Sequence, residues 1–173
     1  NKFEDRIKLC EKMRNKAEKE TGDRKSALLN ITGETRVMMK RAKLLHDLGW
    51  EYAMLDVVTV GTGAVQTMVD VCHDYGLAIH AHRAMHASFD RNPKHGITML
   101  FLAKLMRMIG VEQIHIGTVV GKLEGRKHDV MDIEREIVSK VVRGEPTNSI
   151  HTLKQDWGHI KPTLPVASGG VHP

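Results

Sequence analysis

Residues 76–125 read GLAIHAHRAMHASFDRNPKHGITMLFLAKLMRMIGVEQIHIGTVVGKLEG, and they hold two short apolar runs, a helical pattern and a glycine-hinged loop in direct succession. Leu77 to His82 follows Gly76, is apolar and turns polar at its far end, which is the pattern of a buried strand. Residues two apart on a strand share a face, so His80 and His82 look in one direction, with Arg83 beside them and His86 just beyond. Ile114 to Ile116 is a second apolar stub, which carries His115 and runs into Gly117, Gly121 and Gly125 around Lys122. Two cationic strand ends therefore face a common place.

The rest of the chain repeats the same alternation. Phe3, Ile7, Cys10, Met13 and Ala17 recur at helical steps before Gly22, and Ala27 to Ile31 is a short strand ending in Asn30, Thr32 and Gly33. Val37, Arg41, Leu44, Leu45 and Leu48 mark a second helix closed by Gly49. Tyr52 to Val60 is a β-branched strand with Asp56 as its one charged residue, which is expected at the rim of the sheet or paired with a neighbour. Helices around Ala64–Cys72, Ile97–Met108 and Val130–Val141 follow, then a polar connection over 143–162 and a last strand, Leu164 to Ala167, opening into Ser168-Gly169-Gly170.

Five strands alternating with five helices predict a parallel sheet with helical crossovers. Each strand-to-helix connection carries polar or glycine residues, as do the active-site loops of a (β/α)8 TIM barrel, while Gly49, Gly76 and Gly110 read as plain helix stops. A full barrel takes about 250 residues, so the barrel expected here is incomplete by about three strands. A doubly wound open sheet is the alternative, because alternation alone does not decide closure.

Composition narrows the function classes. With 173 residues, 41% hydrophobic and 27% charged, the chain can bury a core of Leu, Ile, Val, Ala and its ten Met, since aromatics are only 4%. Cys10 and Cys72 form no close-spaced motif, which points to a reducing, cytoplasmic setting. The net charge of +5 is spread among acids, as in EDRIKLCEKMRNKAEKE, so no nucleic-acid partner is expected; an anionic small ligand fits the cationic strand ends. No apolar run approaches the roughly 20 residues of a membrane span, and the start at Asn1 within a helical pattern is read as an internal fragment.

Two chemistries fit the strand ends. Arg83 and His115 offer donors to one anionic group, the backbone after Ser168 at Gly169 and Gly170 offers N–H groups to a second, and Lys122, steadied by Glu124, could swing a positive charge onto a bis-anionic phosphosugar. Alternatively His80 and His82 are metal ligands like the His-x-His pair of barrel hydrolases, but the first-strand placement and later aspartate of those enzymes are not visible.

The segments His80-Ala-His-Arg-Ala-Met-His86, His115-Ile-Gly-Thr-Val-Val-Gly-Lys-Leu-Glu-Gly125 and Leu164-Pro-Val-Ala-Ser-Gly-Gly170 resemble the large subunit of ribulose-1,5-bisphosphate carboxylase/oxygenase (RuBisCO), in order and spacing. Asn30 with Thr32, and Trp157, fit the same family. The resemblance spans 1–173, from about the second barrel helix to the seventh strand, which leaves the N-terminal domain, the first two strands and the last strand outside. It implies carboxylation and oxygenation of ribulose 1,5-bisphosphate with CO2 or O2, two 3-phosphoglycerate being formed from CO2 through a Mg2+-stabilised enediolate.

By the resemblance, His82 assists proton transfer and hydration, Arg83 and His115 clamp one phosphate, and Lys122 stabilises the new carboxylate with Glu124 in support. Ser168 contacts a substrate hydroxyl, and Gly169 and Gly170 line the second phosphate. The Mg2+ ligands, a carbamylated lysine and two acidic residues, are expected outside these residues, so no metal ligand is assigned here and the fragment alone is expected to be inactive. Ile116 and the ending Gly-Gly-Val-His-Pro are closer to archaeal members, which implies a homodimer or an assembly of dimers without small subunits and a role in AMP salvage. The family alternative is a RuBisCO-like enolase acting on a diketo-methylthiopentyl phosphate.

Overall fold

The computed structural model describes residues 2–92, 94–118, 127–144 and 153–168. Helix α1 (Phe3–Thr21) ends at Gly22, whose φ of 75° suits a residue without a Cβ and whose N–H bonds the Glu18 carbonyl. Strand β1 (Leu29–Asn30) leads to α2 (Thr35–Asp47), capped by the Glu34 carboxylate, which accepts from the Val37 N–H. Then come β2 (Tyr52–Asp56), a single helical turn α3 (Val57–Val60), α4 (Thr62–Asp74) and β3 (Ala78–His82). A second single turn, α5 (Ala87–Asp90), precedes α6 (Met99–Ile109), whose N-terminal N–H groups are capped by the Thr98 hydroxyl. The chain continues through β4 (Gln113–Gly117), α7 (Lys127–Val138), the short strands β5 (Val141–Val142) and β6 (Gln155–Asp156), and β7 (Leu164–Ala167).

Five strands form one parallel sheet in the order β1-β2-β3-β4-β7, while β5 and β6 make a separate antiparallel ribbon. The order in space is the order in the chain. A doubly wound sheet would reverse direction at a switch point, and no reversal occurs among the described strands, so the arrangement is an arc of the kind a (β/α) barrel contains.

The alternation of side chains turns this arc into a site. Ala53, Leu55, Ile79, Ala81, Ile114 and Ile116 are buried and join Met38, Met68, Met106 and Ile137 of the helices in one core. The intervening positions carry Asp56, His80, His82, Gln113 and His115, which the period-2 geometry sends to the other face. Parallel register sets Met54 beside His80, His80 beside Gln113, and Asp56 beside His82.

Three local expectations are corrected. The β-branched run 52–60 is not one strand: it turns helical at Val57, because the β2–β3 ladder ends at the Asp56–His82 pair and Val57 buries in the core instead. The loop after β3 contains the turn α5, and the polar connection 143–162 contains β6, paired with β5. Strands of two residues are too short to show a periodicity.

Candidate active site

The carboxyl ends of β1, β2 and β3 are tied by a polar network. The Asn30 side-chain amide donates to Asp56 Oδ1 at 3.1 Å, and the Thr32 N–H donates to Asn30 Oδ1 at 2.9 Å. The Asp56 N–H in turn donates to the Thr32 hydroxyl at 2.9 Å. Asp56 Oδ1 also meets His82 Nδ1 at 3.1 Å, while the Ala84 N–H lies 3.3 Å from the same ring nitrogen. An ionised carboxylate is the stronger partner, so Nδ1 carries the proton and donates to Asp56.

A second chain runs across β3 and β4. His80 Nδ1 is 2.9 Å from Gln113 Oε1 and therefore donates to it, which leaves His80 Nε2 to accept from His115 Nε2. The His115 ring lies edge-on to both His80 and His82, with centroids 4.5 Å and 5.0 Å away. Burial first, then electrostatic opposition from the neighbouring His80, His82 and Arg83, holds His115 down to about 4. His80 is also lowered, chiefly by burial, with His82 adding and the Gln113 hydrogen bond opposing. Both rings are therefore neutral near neutral pH.

This arrangement has a measurable consequence for stability. In the unfolded chain an imidazole titrates at its ordinary 6.5, so between 6.5 and about 4 the unfolded state binds a proton that folded His115 refuses. The stabilisation is fully present above 6.5 and is lost as pH falls towards about 4. After solvent screening it is on the order of 1–2 kcal/mol. The melting temperature is expected to fall through this window less steeply in His115→Gln than in the parent; parallel slopes would contradict the assignment.

Arg83 follows directly on β3. Burial draws its guanidinium below the ordinary value, and Asp90, held 2.5 Å from His86 Nδ1, opposes this. The Arg83 fork lies against the Gly117 backbone, where a Cβ would come within 3.1 Å of Nη2, and Gly117 also has a φ of 102°. Only glycine suits both conditions. The Ser168 N–H donates to the Gly117 carbonyl at 2.9 Å, just past a register shift between His115 and Gly117, so the end of β7 is held beside the end of β4.

His82, Arg83 and Ser168 thus sit at the carboxyl ends of β3 and β7, and His115 lies midway along β4 with its ring against His80 and His82. Lys122, Glu124, Gly169 and Gly170 lie outside the described residues. Asp56 and Gln113 had no assigned role in the site; the signal for Gln113 was its place two residues before His115 on one strand. The metal-hydrolase alternative fares poorly, because both ring nitrogens of His80 are already engaged. Among the described residues no group of three or more His, Cys, Asp and Glu side chains could hold a metal ion, so these residues do not by themselves fit Mg2+.

A parallel (β/α) arc with anion-suited donors at its strand ends defines the barrel-enzyme class to which the chain is assigned. The family model "Ribulose bisphosphate carboxylase large chain, catalytic domain" matches residues 1–173. Ribulose bisphosphate carboxylase of Methanosarcina barkeri is 52% identical over 174 residues, covering 100% of this chain and 40% of that protein. The dimeric archaeal Rubisco of Hyperthermus butylicus superposes with a TM-score of 0.88 at 43% identity, covering 99% of this chain and 39% of that one. The octameric Rubisco of Pyrococcus horikoshii gives 0.85 at 48% identity, with 99% and 38% covered. This chain belongs to the RuBisCO large-chain catalytic-domain family, and it spans about 40% of the length of the relatives it matches.

Proposed function

We propose that this chain supplies part of the active site of a ribulose-1,5-bisphosphate carboxylase/oxygenase, in which CO2 adds to the enediolate of ribulose 1,5-bisphosphate and two 3-phosphoglycerate result. The observation that carries this reading is the placement of Asp56, His82, Arg83 and His115 together on and at the ends of neighbouring strands in a chain of this family. In this reading Arg83 and His115 grip one phosphate. The neutral His115 ring then acts as a hydrogen-bonding group until the dianion arrives, and the dianion favours its protonated form.

His82 moves protons at the sugar carbons between the phosphates. Ser168 contacts a hydroxyl, Gly169 and Gly170 line the second phosphate, and Lys122 with Glu124 brings charge onto the carboxylate that forms. Mg2+, which the family uses, would supply Lewis-acid stabilisation of negative charge when bound, with its ligands expected beyond these 173 residues. Assembly as dimers or multiples of dimers, and service in AMP salvage, extend the reading by analogy with archaeal relatives.

The test is incorporation of labelled CO2 into 3-phosphoglycerate by the full-length protein given ribulose 1,5-bisphosphate and Mg2+. Incorporation is the expected result, with none from the isolated 173 residues. A full-length protein that fixes no CO2 but enolises a diketo-methylthiopentyl phosphate would replace this reading with the enolase one.

A further inference from the structure

We infer that Asp56 is a positioning residue for His82: its carboxylate selects the Nδ1–H tautomer and so leaves Nε2, on the far edge of the ring, as the nitrogen free to take a proton. The inference rests on the proposed role of His82 but concerns a residue to which that proposal assigns no role.

Asp56 and His82 are direct register partners on β2 and β3, so their side chains share a face and lie side by side without any contribution from loops. The pair is partly shielded, with the Asp56 side chain 22% exposed and that of His82 38% exposed. Asp56 is itself fixed in place. Its Oδ1 accepts from Asn30, its own N–H bonds Thr32, and Thr32 and Asn30 are joined by a further hydrogen bond. A rim carboxylate kept only for solubility would need none of these partners.

The Ala84 N–H gives the arrangement its test. It stands 3.3 Å from His82 Nδ1 and can donate only if that nitrogen is unprotonated. Asp56 and Ala84 therefore favour opposite tautomers of one ring. With the carboxylate present, the charge-assisted bond wins. With it removed, the backbone N–H remains as the partner, and the proton moves to Nε2, where it blocks proton acceptance. An asparagine at 56 keeps an acceptor oxygen and so keeps the Nδ1–H form while losing the negative charge.

The experiment uses the full-length protein with 15N-labelled histidine, assigned by the signal lost in His82→Gln, and reads the tautomer from long-range 1H–15N correlations at alkaline pH without substrate. The parent and Asp56→Asn are expected to show Nδ1–H, and Asp56→Ala is expected to show Nε2–H. A parent with Nε2–H overturns the inference even if no variant folds, and so does an Asp56→Ala protein that keeps Nδ1–H. In turnover, Asp56→Ala should lower kcat about 10–100-fold with little change in KM, and Asp56→Asn should recover part of that loss. Equal losses in the two variants, or a loss confined to KM, would mark Asp56 as merely structural. The tautomer switch is read without substrate, so its presence in a protein that fixes no CO2 would overturn the proposed reaction and leave the inference standing.

Discussion

His82→Gln in the full-length protein is expected to lower kcat for CO2 fixation by about 10²–10⁴-fold, the range in which a positioned proton-transfer group contributes. That is roughly 3–5 kcal/mol of transition-state stabilisation, larger than any effect expected from the neighbouring clamp. The KM for ribulose 1,5-bisphosphate should change far less, because the grip on phosphate is assigned to Arg83 and His115, and neither depends on the His82–Asp56 bond for its place. Arg83 is packed against Gly117, and His115 is bonded to His80. The fold should survive as well. The His82 side chain is 38% exposed and belongs to the polar face of β3, so glutamine leaves no cavity in the core. The measurement is labelled CO2 incorporation at saturating substrate beside a thermal melt. A kcat within threefold of the parent, with the melt unchanged, would remove His82 from the chemistry.

Much of this geometry was legible in the sequence, for reasons that particular residues make plain. β3 and β4 are apolar runs broken by polar residues at every second position and bounded by glycine, so one face had to carry His80 with His82 and the next strand His115. Periodicity gives faces but not partners. It could not show that Gln113 orients His80, or that Asp56 lands opposite His82, because both depend on the register between strands far apart in the chain. Val57 to Val60 misled because β-branched residues favour strands only where a neighbouring strand pairs with them, and there the ladder had ended. Lys122 was legible only as a charge in a glycine-hinged loop and by resemblance to the family.

Arg107→Met is expected to destabilise the protein by about 3–5 kcal/mol, a large fraction of the 5–15 kcal/mol typical of a folded domain. Arg107 is 1% exposed, on the inner side of α6, in a pattern where an apolar residue would ordinarily stand. Its guanidinium donates to the carbonyls of Glu136, Ser139, Ile160 and Lys161, and its plane covers the buried Trp157 ring at 4.3 Å. One side chain thus closes the end of α7 and anchors the segment that leads into β7. Methionine would match much of the volume and none of the donors, so four carbonyls would lose their partner, and the buried Glu136 carboxylate would lose a nearby positive charge while keeping its ion pair with Lys104 at 3.4 Å. Lysine should rescue little, since a single ammonium cannot span four acceptors that a planar fork reaches together. Because β7 carries Ser168 to the site, the loss should be felt at the substrate: hydrogen exchange should rise first at Thr163, whose N–H bonds Ile137 and whose hydroxyl bonds Val111, before it rises in β2 or β3. A denaturation midpoint within experimental error of the parent, or exchange that rises uniformly across the sheet, would show that α6 and β7 are held together by something other than this arginine.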